Sequence, residues 1–155
     1  MIHKNCGAKM PQPGEFIEGD EALLAEAHGA LETLHDCFRK QAFHRALESL
    51  WRVIGSANRY VDEQAPWASK KSDPERMATV LYVLAEVVRH LAILSQPFMP
   101  GSMAKLLDQL SVAQDARTFG HLGEKHALEP GTALPKPEGV FPRYVEEKEE
   151  EGREG

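Results

Sequence analysis

The sequence predicts an all-α protein, an antiparallel helical bundle with an irregular C-terminal strap. Three observations carry this expectation. Apolar residues recur three and four apart over three long stretches, no strand-type alternation of useful length occurs, and glycine and proline crowd the two ends of the chain. At 155 residues and 42% hydrophobic content, the chain is long enough to bury one core without disulfides or a metal.

Residues 1–19 hold Gly7, Pro11, Pro13, Gly14 and Gly19, which predicts an extended lead-in. Asp20 is placed as an N-cap, and Leu23, Leu24, Ala27, Leu31, Leu34 and Phe38 then form one stripe of a helix over about 20–39. The pattern restarts at Phe43, Ala46, Leu47, Leu50, Ile54, Ala57 and Val61, predicting a second helix that ends near Glu63. Pro66 is expected to stop regular structure there, leaving a basic turn at Lys70 and Lys71. Asp73-Pro74, with Glu75 behind it, is a helix start. Met77, Val80, Leu81, Leu84, Val87, Val88, Leu91 and Leu94 follow on a stripe wide enough for a central helix, ended by Pro97. A short helix from Ser102 to Leu110 adds Met103, Leu106 and Leu107. The expected division is therefore lead-in 1–19, bundle 20–112, strap 113–145 and disordered acidic tail 146–155.

Net charge is -6, yet six of the acids lie in the last ten residues, so an acidic total does not exclude a nucleic-acid partner. Phosphate contact depends on local basic patches. Cys6 and Cys37 fit no zinc or redox spacing and point to a reducing, cytoplasmic setting. No segment reads as a membrane span, and no membrane partner is expected.

The most informative stretch is Asn58 to Lys71. Trp67 follows Pro66 at a helix exit, with Lys70 and Lys71 beyond it, Arg59 before it and Arg76 just into the next helix. An exposed indole stacks an unpaired base while lysine and arginine neutralise phosphates. The alternative is that Trp67 plugs the corner between helices and the lysines are merely solvated.

The pattern Asn58-x-Tyr60 with Ala65-Pro66-Trp67, then Pro97-Phe98-Met99-Pro100 and Val140-Phe141-Pro142-Arg143, resembles the helical anticodon-binding domain of class I aminoacyl-tRNA synthetases, methionyl-tRNA synthetases most of all. The resemblance runs from Met1 to about Tyr144, and the Pro-Trp turn is its specific part. It implies that Trp67, with Pro66, stacks on an anticodon base, that Asn58 and Tyr60 support the same corner, and that Lys70, Lys71 and Arg59 meet phosphates. It further implies a methionine-accepting tRNA as partner and a catalytic domain that uses ATP and Mg2+ to make methionyl-tRNA. The family's other anticodon readers, an Asn and an Arg on the preceding helix, have no counterpart here. HIGH, KMSKS and the zinc knuckle are also absent from these residues. The chain alone is thus expected to hold no cofactor and to be inactive. A sister synthetase for Cys, Val, Leu or Ile shares the bundle but less of the turn, and a helical protein-interaction module is the rival from another class.

His28, Glu32 and His35 share one helix face, and His3 lies three residues before Cys6, but neither set makes a convincing metal site. Cys37 borders the apolar stripe and is expected to pack. No phosphate loop, catalytic triad order or HExxH motif occurs.

Overall fold

The computed structural model describes residues 1–141, so the expected acidic tail and the Pro142, Arg143 and Tyr144 end of the strap lie outside the described residues. Among the described residues six α-helices follow one another: α1 (Ile2–Asn5), α2 (Glu18–Arg39), α3 (Phe43–Gln64), α4 (Pro66–Ser72), α5 (Pro74–Ser95) and α6 (Pro100–Gln109). Three single 3-10 turns lie in the strap, at Gln114–Ala116, Phe119–His121 and Glu124–His126. Among the described residues the only β-pairing is one isolated bridge, Lys9 to Ala133.

The main core lies between α2, α3 and α5, where Leu23, Ala27, Leu34, Leu50, Val53 and Val87 are buried together. The predicted stripe of α2 is the buried one. The stripe of α3 divides: Ala46, Leu50, Val53 and Tyr60 face the core, whereas Phe43, Leu47 and Trp51 are exposed. Leu84, expected mid-core, is only partly buried at the edge of the cluster. Helix α5 is long and apolar enough by length and composition to cross a bilayer, contrary to the expectation that no segment approaches this. Here it is the central helix of the bundle, with most of its side chains covered.

Four boundaries differ from expectation, one of them the start of α6 at Pro100 rather than Ser102. A short helix forms at Ile2–Asn5 inside the lead-in. Helix α2 begins two residues early, with Ile17 as its N-cap, so Asp20 is not the cap but the third residue of the first turn, whose Oδ2 accepts the Ile17 N–H (3.1 Å). Pro66 does not end order: it starts α4, where a missing N–H and a fixed φ suit the first helical position. The break is Ala65, in the left-handed region at φ 40, ψ 59, which closes α3 and opens α4 at once.

The strap is held by three polar residues within one turn of α5. Glu86, Arg89 and His90 are all buried. The Arg89 guanidinium donates to both Glu86 carboxylate oxygens (3.0 and 2.9 Å), to the His121 carbonyl (2.7 Å) and to the Gly123 carbonyl (3.2 Å). Glu86 Oε1 also accepts the Leu128 N–H (2.6 Å). The Gly123 N–H donates to His90 Nε2 (3.1 Å), so Nδ1 carries the proton and donates to the Glu86 carbonyl (2.9 Å). Gly123 sits at φ 93, where a side chain would be strained. Burial pushes the His90 imidazolium down to about 4, with the Arg89 and His28 charges acting in the same direction.

Candidate nucleic-acid interface

The region from Asn58 to Arg76 is built by three helices meeting end to end. Asn58, Arg59 and Tyr60 sit on consecutive positions of α3 and therefore diverge by about 100° each. The structure does not gather them at one corner. Asn58 is exposed and lines a groove with Trp51, Ile54 and Val61. Arg59 is exposed on another face.

Tyr60 turns inward and is buried, its Oη donating to Asp20 Oδ1 (2.6 Å). The phenol, expected to pack in support of the corner, packs against the start of α2. Burial and the adjoining carboxylate raise the Tyr60 hydroxyl well above its ordinary value, so it stays a donor.

Arg76, the cation just inside the next helix, is engaged within the protein. Its Nη1 and Nη2 grip Asp20 (2.6 and 2.7 Å), while Nε and Nη2 hold Gln64 Oε1 (3.1 and 2.6 Å). Asp20 is fully buried. Burial pushes its carboxyl up, but the Arg76, Tyr60 and Ile17 hydrogen bonds prevail and hold it below the usual carboxylate range. Nothing in local spacing signals this cluster, because its members lie 40 and 56 residues apart.

At the turn itself Pro66 is the buried residue and fills the corner. Trp67 beside it is 55% exposed. Because α4 is a helix rather than a turn, Lys70 and Lys71 lie three and four residues beyond Trp67, on the same side of one turn, and both are exposed. An exposed ring flanked by two ammonium groups can stack a base and neutralise its phosphates.

A second exposed indole lies elsewhere. Trp51, 63% exposed, opens onto an apolar groove of about 570 Å³ between α3, α5 and α6, lined also by Leu84, Val88, Met103 and Phe141. Periodicity alone could have signalled it, since Phe43, Leu47, Trp51, Ile54 and Val61 recur on one side of α3. Among the described residues no three His, Cys, Asp or Glu side chains are arranged to hold a metal. His28 lies against His90 (ring centroids 4.6 Å apart) and His35 against Phe119 (5.9 Å), while Glu32 is exposed. His3 and Cys6 are half-buried at α1, Cys6 and Cys37 are free thiols, and Cys37 packs at the margin of the core.

The family described as the anticodon binding domain of methionyl tRNA ligase matches residues 10–154. The chain belongs to that family. The methionine–tRNA ligase of Mesorhizobium japonicum is 54% identical over 147 residues, covering 95% of this chain and 28% of the relative. That of Mycobacterium tuberculosis is 48% identical over 157 aligned positions, covering 99% of this chain and 30% of the relative. The crystal structure of the apo Mycobacterium tuberculosis methionyl-tRNA synthetase superposes with a TM-score of 0.89 over 94% of this chain and 30% of that one. The same enzyme bound by methionyl-adenylate gives 0.88 over 92% and 28%. The chain thus spans under a third of the length of the relatives it matches. As an anticodon-binding domain of this family it is the all-α bundle that the sequence predicts, and the sister synthetases are set aside as its family.

Proposed function

We propose that this anticodon-binding domain grips the anticodon loop of a methionine-accepting tRNA through α4. Trp67 stacks an unpaired anticodon base, Pro66 fixes the ring's position from beneath, and Lys70 and Lys71 neutralise the flanking phosphates. Arg59 is a peripheral phosphate contact. Asn58 and Tyr60 serve indirectly, as a groove-side residue and a buried strut. The single observation that supports this reading is the exposure of Trp67 on the same side of one helical turn as two lysines.

The domain works within a methionine–tRNA ligase whose catalytic part consumes ATP, with Mg2+, and joins methionine to the tRNA in the cytoplasm. The residues of this chain contain neither HIGH nor KMSKS and supply binding rather than chemistry. The reacting domain is its covalent partner. The Trp51 groove favours a second, compatible role: its apolar lining suits an amphipathic helix of another part of the ligase.

The test is a titration of a methionine-type anticodon stem-loop against the Trp51→Phe protein, read by Trp67 fluorescence. Trp67→Ala, followed by filter retention, is expected to cost about 1–3 kcal/mol, the worth of one base–aromatic stack. Lys70→Ala should weaken all RNAs alike and flatten the salt dependence. Unchanged affinity in Trp67→Ala together with lost thermal stability would convert the ring into a core plug and leave the protein-docking role.

A further inference from the structure

The RNA-binding helix α4 is only seven residues long and makes no stable unit alone, since a helix of two turns is marginal in water. What fixes it is found at its two ends. At the entry stands Gln64, the last residue of α3, followed by Ala65 in the left-handed conformation. At the exit stands Asp73, which closes α4 and caps α5.

One residue touches both. The Arg76 backbone N–H donates to Asp73 Oδ1 (2.9 Å), and the Arg76 side chain donates twice to Gln64 Oε1 (3.1 and 2.6 Å). The same guanidinium is itself anchored to the fully buried Asp20 of α2 by two bonds (2.6 and 2.7 Å). Asp20 cannot shift, because the Tyr60 hydroxyl and the Ile17 N–H also hold it (2.6 and 3.1 Å). Four of the five guanidinium N–H donors are engaged in a planar fork that admits one orientation.

We propose that Arg76 is the positioning residue of the anticodon site: anchored on Asp20, it clamps Gln64 and Asp73 and so sets where α4 presents Trp67 and its lysines. This rests on the stacking role of Trp67 proposed above. Arg76 does not touch RNA. Its contribution is to remove freedom from the Ala65 hinge, so that the indole waits in its binding orientation and association loses less entropy.

The cleanest cut is Gln64→Ala, which severs the clamp from α3 without leaving a buried charge, since Arg76 keeps its bond to Asp20. The full chain in the Trp51→Phe background is titrated with the methionine-type anticodon stem-loop. Gln64→Ala should bind roughly three- to tenfold more weakly and, without RNA, should lower the emission anisotropy of Trp67. Gln64→Glu, whose carboxylate accepts the same Arg76 bonds, should restore both. In a Trp67→Ala protein the Gln64→Ala change should cost much less affinity than in the parent, because only Lys70 and Lys71 are then left to position.

Wild-type affinity and anisotropy in Gln64→Ala overturn the clamp. So does a loss that adds in full to that of Trp67→Ala, which marks Gln64 as part of general stability. Should Trp67→Ala itself leave binding intact, the stacking role fails first, and the two failures are told apart by that single variant.

Discussion

Acidification should loosen this protein through His90, in a window set by a buried neutral imidazole. In the fold His90 donates from Nδ1 to the Glu86 carbonyl and accepts at Nε2 from the Gly123 N–H. A second proton on Nε2 would face that N–H with no acceptor, beside Arg89 and His28, and its affinity falls from the ordinary 6.5 to about 4. The unfolded chain takes up this proton more readily, so the stabilising effect is complete above about pH 6.5 and is lost as pH falls towards about 4. At about 1.4 kcal/mol per pH unit of separation, the loss reaches about 1.4 kcal/mol near pH 5.5 and about 2.5 kcal/mol near pH 4.5. Urea unfolding followed by circular dichroism at these pH values measures it. The control is His90→Gln, which keeps a polar side chain but cannot titrate. The wild-type curve should fall more steeply than the control by these amounts. Parallel curves for the two proteins would refute the argument and mean that His90 is charged, or solvated, in the fold.

Two further outcomes bear on stability. Leu50→Ala removes a side chain that is 1% exposed in the main core and should cost about 2–5 kcal/mol in urea unfolding, whereas Leu84→Ala should cost less because Leu84 borders the groove. The opposite order would place the wrong face of α5 inside. Ala65→Gly should stabilise the chain by about 0.5–1 kcal/mol, because the left-handed φ of 40 penalises a side chain by more than glycine adds to the entropy of unfolding. A lowered melting temperature would show that the hinge tolerates alanine without strain.

Much of the fold was legible in the residues. The stripes of α2, α3 and α5 announce helices because each recurs at helical spacing for about four turns or more, and Asp73-Pro74 marks a start by its capping chemistry. Helix α4 was not legible, because proline both ends and begins helices and only the conformation of Ala65 decides which. The two apolar sides of α3 merge in a one-dimensional pattern, and which of them lies inside is settled by the position of α5. Asp20 looks like a cap in sequence; its pairing with Arg76 across the bundle has no local trace. At the candidate site, the Pro-Trp turn was recognisable through family resemblance, while the alignment of Trp67 with Lys70 and Lys71 required the helix that the sequence did not reveal.

The strap has a consequence for how the molecule opens. Its residues and the lead-in are stitched to each other: the Met10 N–H donates to the Thr132 carbonyl (2.8 Å), the Gly131 N–H to the Met10 carbonyl (2.8 Å) and the Leu134 N–H to the Ala8 carbonyl (2.8 Å). Met10 and Leu128 then share a small core with Tyr82. Segments more than a hundred residues apart in sequence therefore leave α5 together or not at all. Amide exchange at Met10, Leu128 and Leu134 should follow one opening event, distinct from the slower exchange of the bundle, so that the chain's first and last described segments behave as one cooperative flap closing over its central helix.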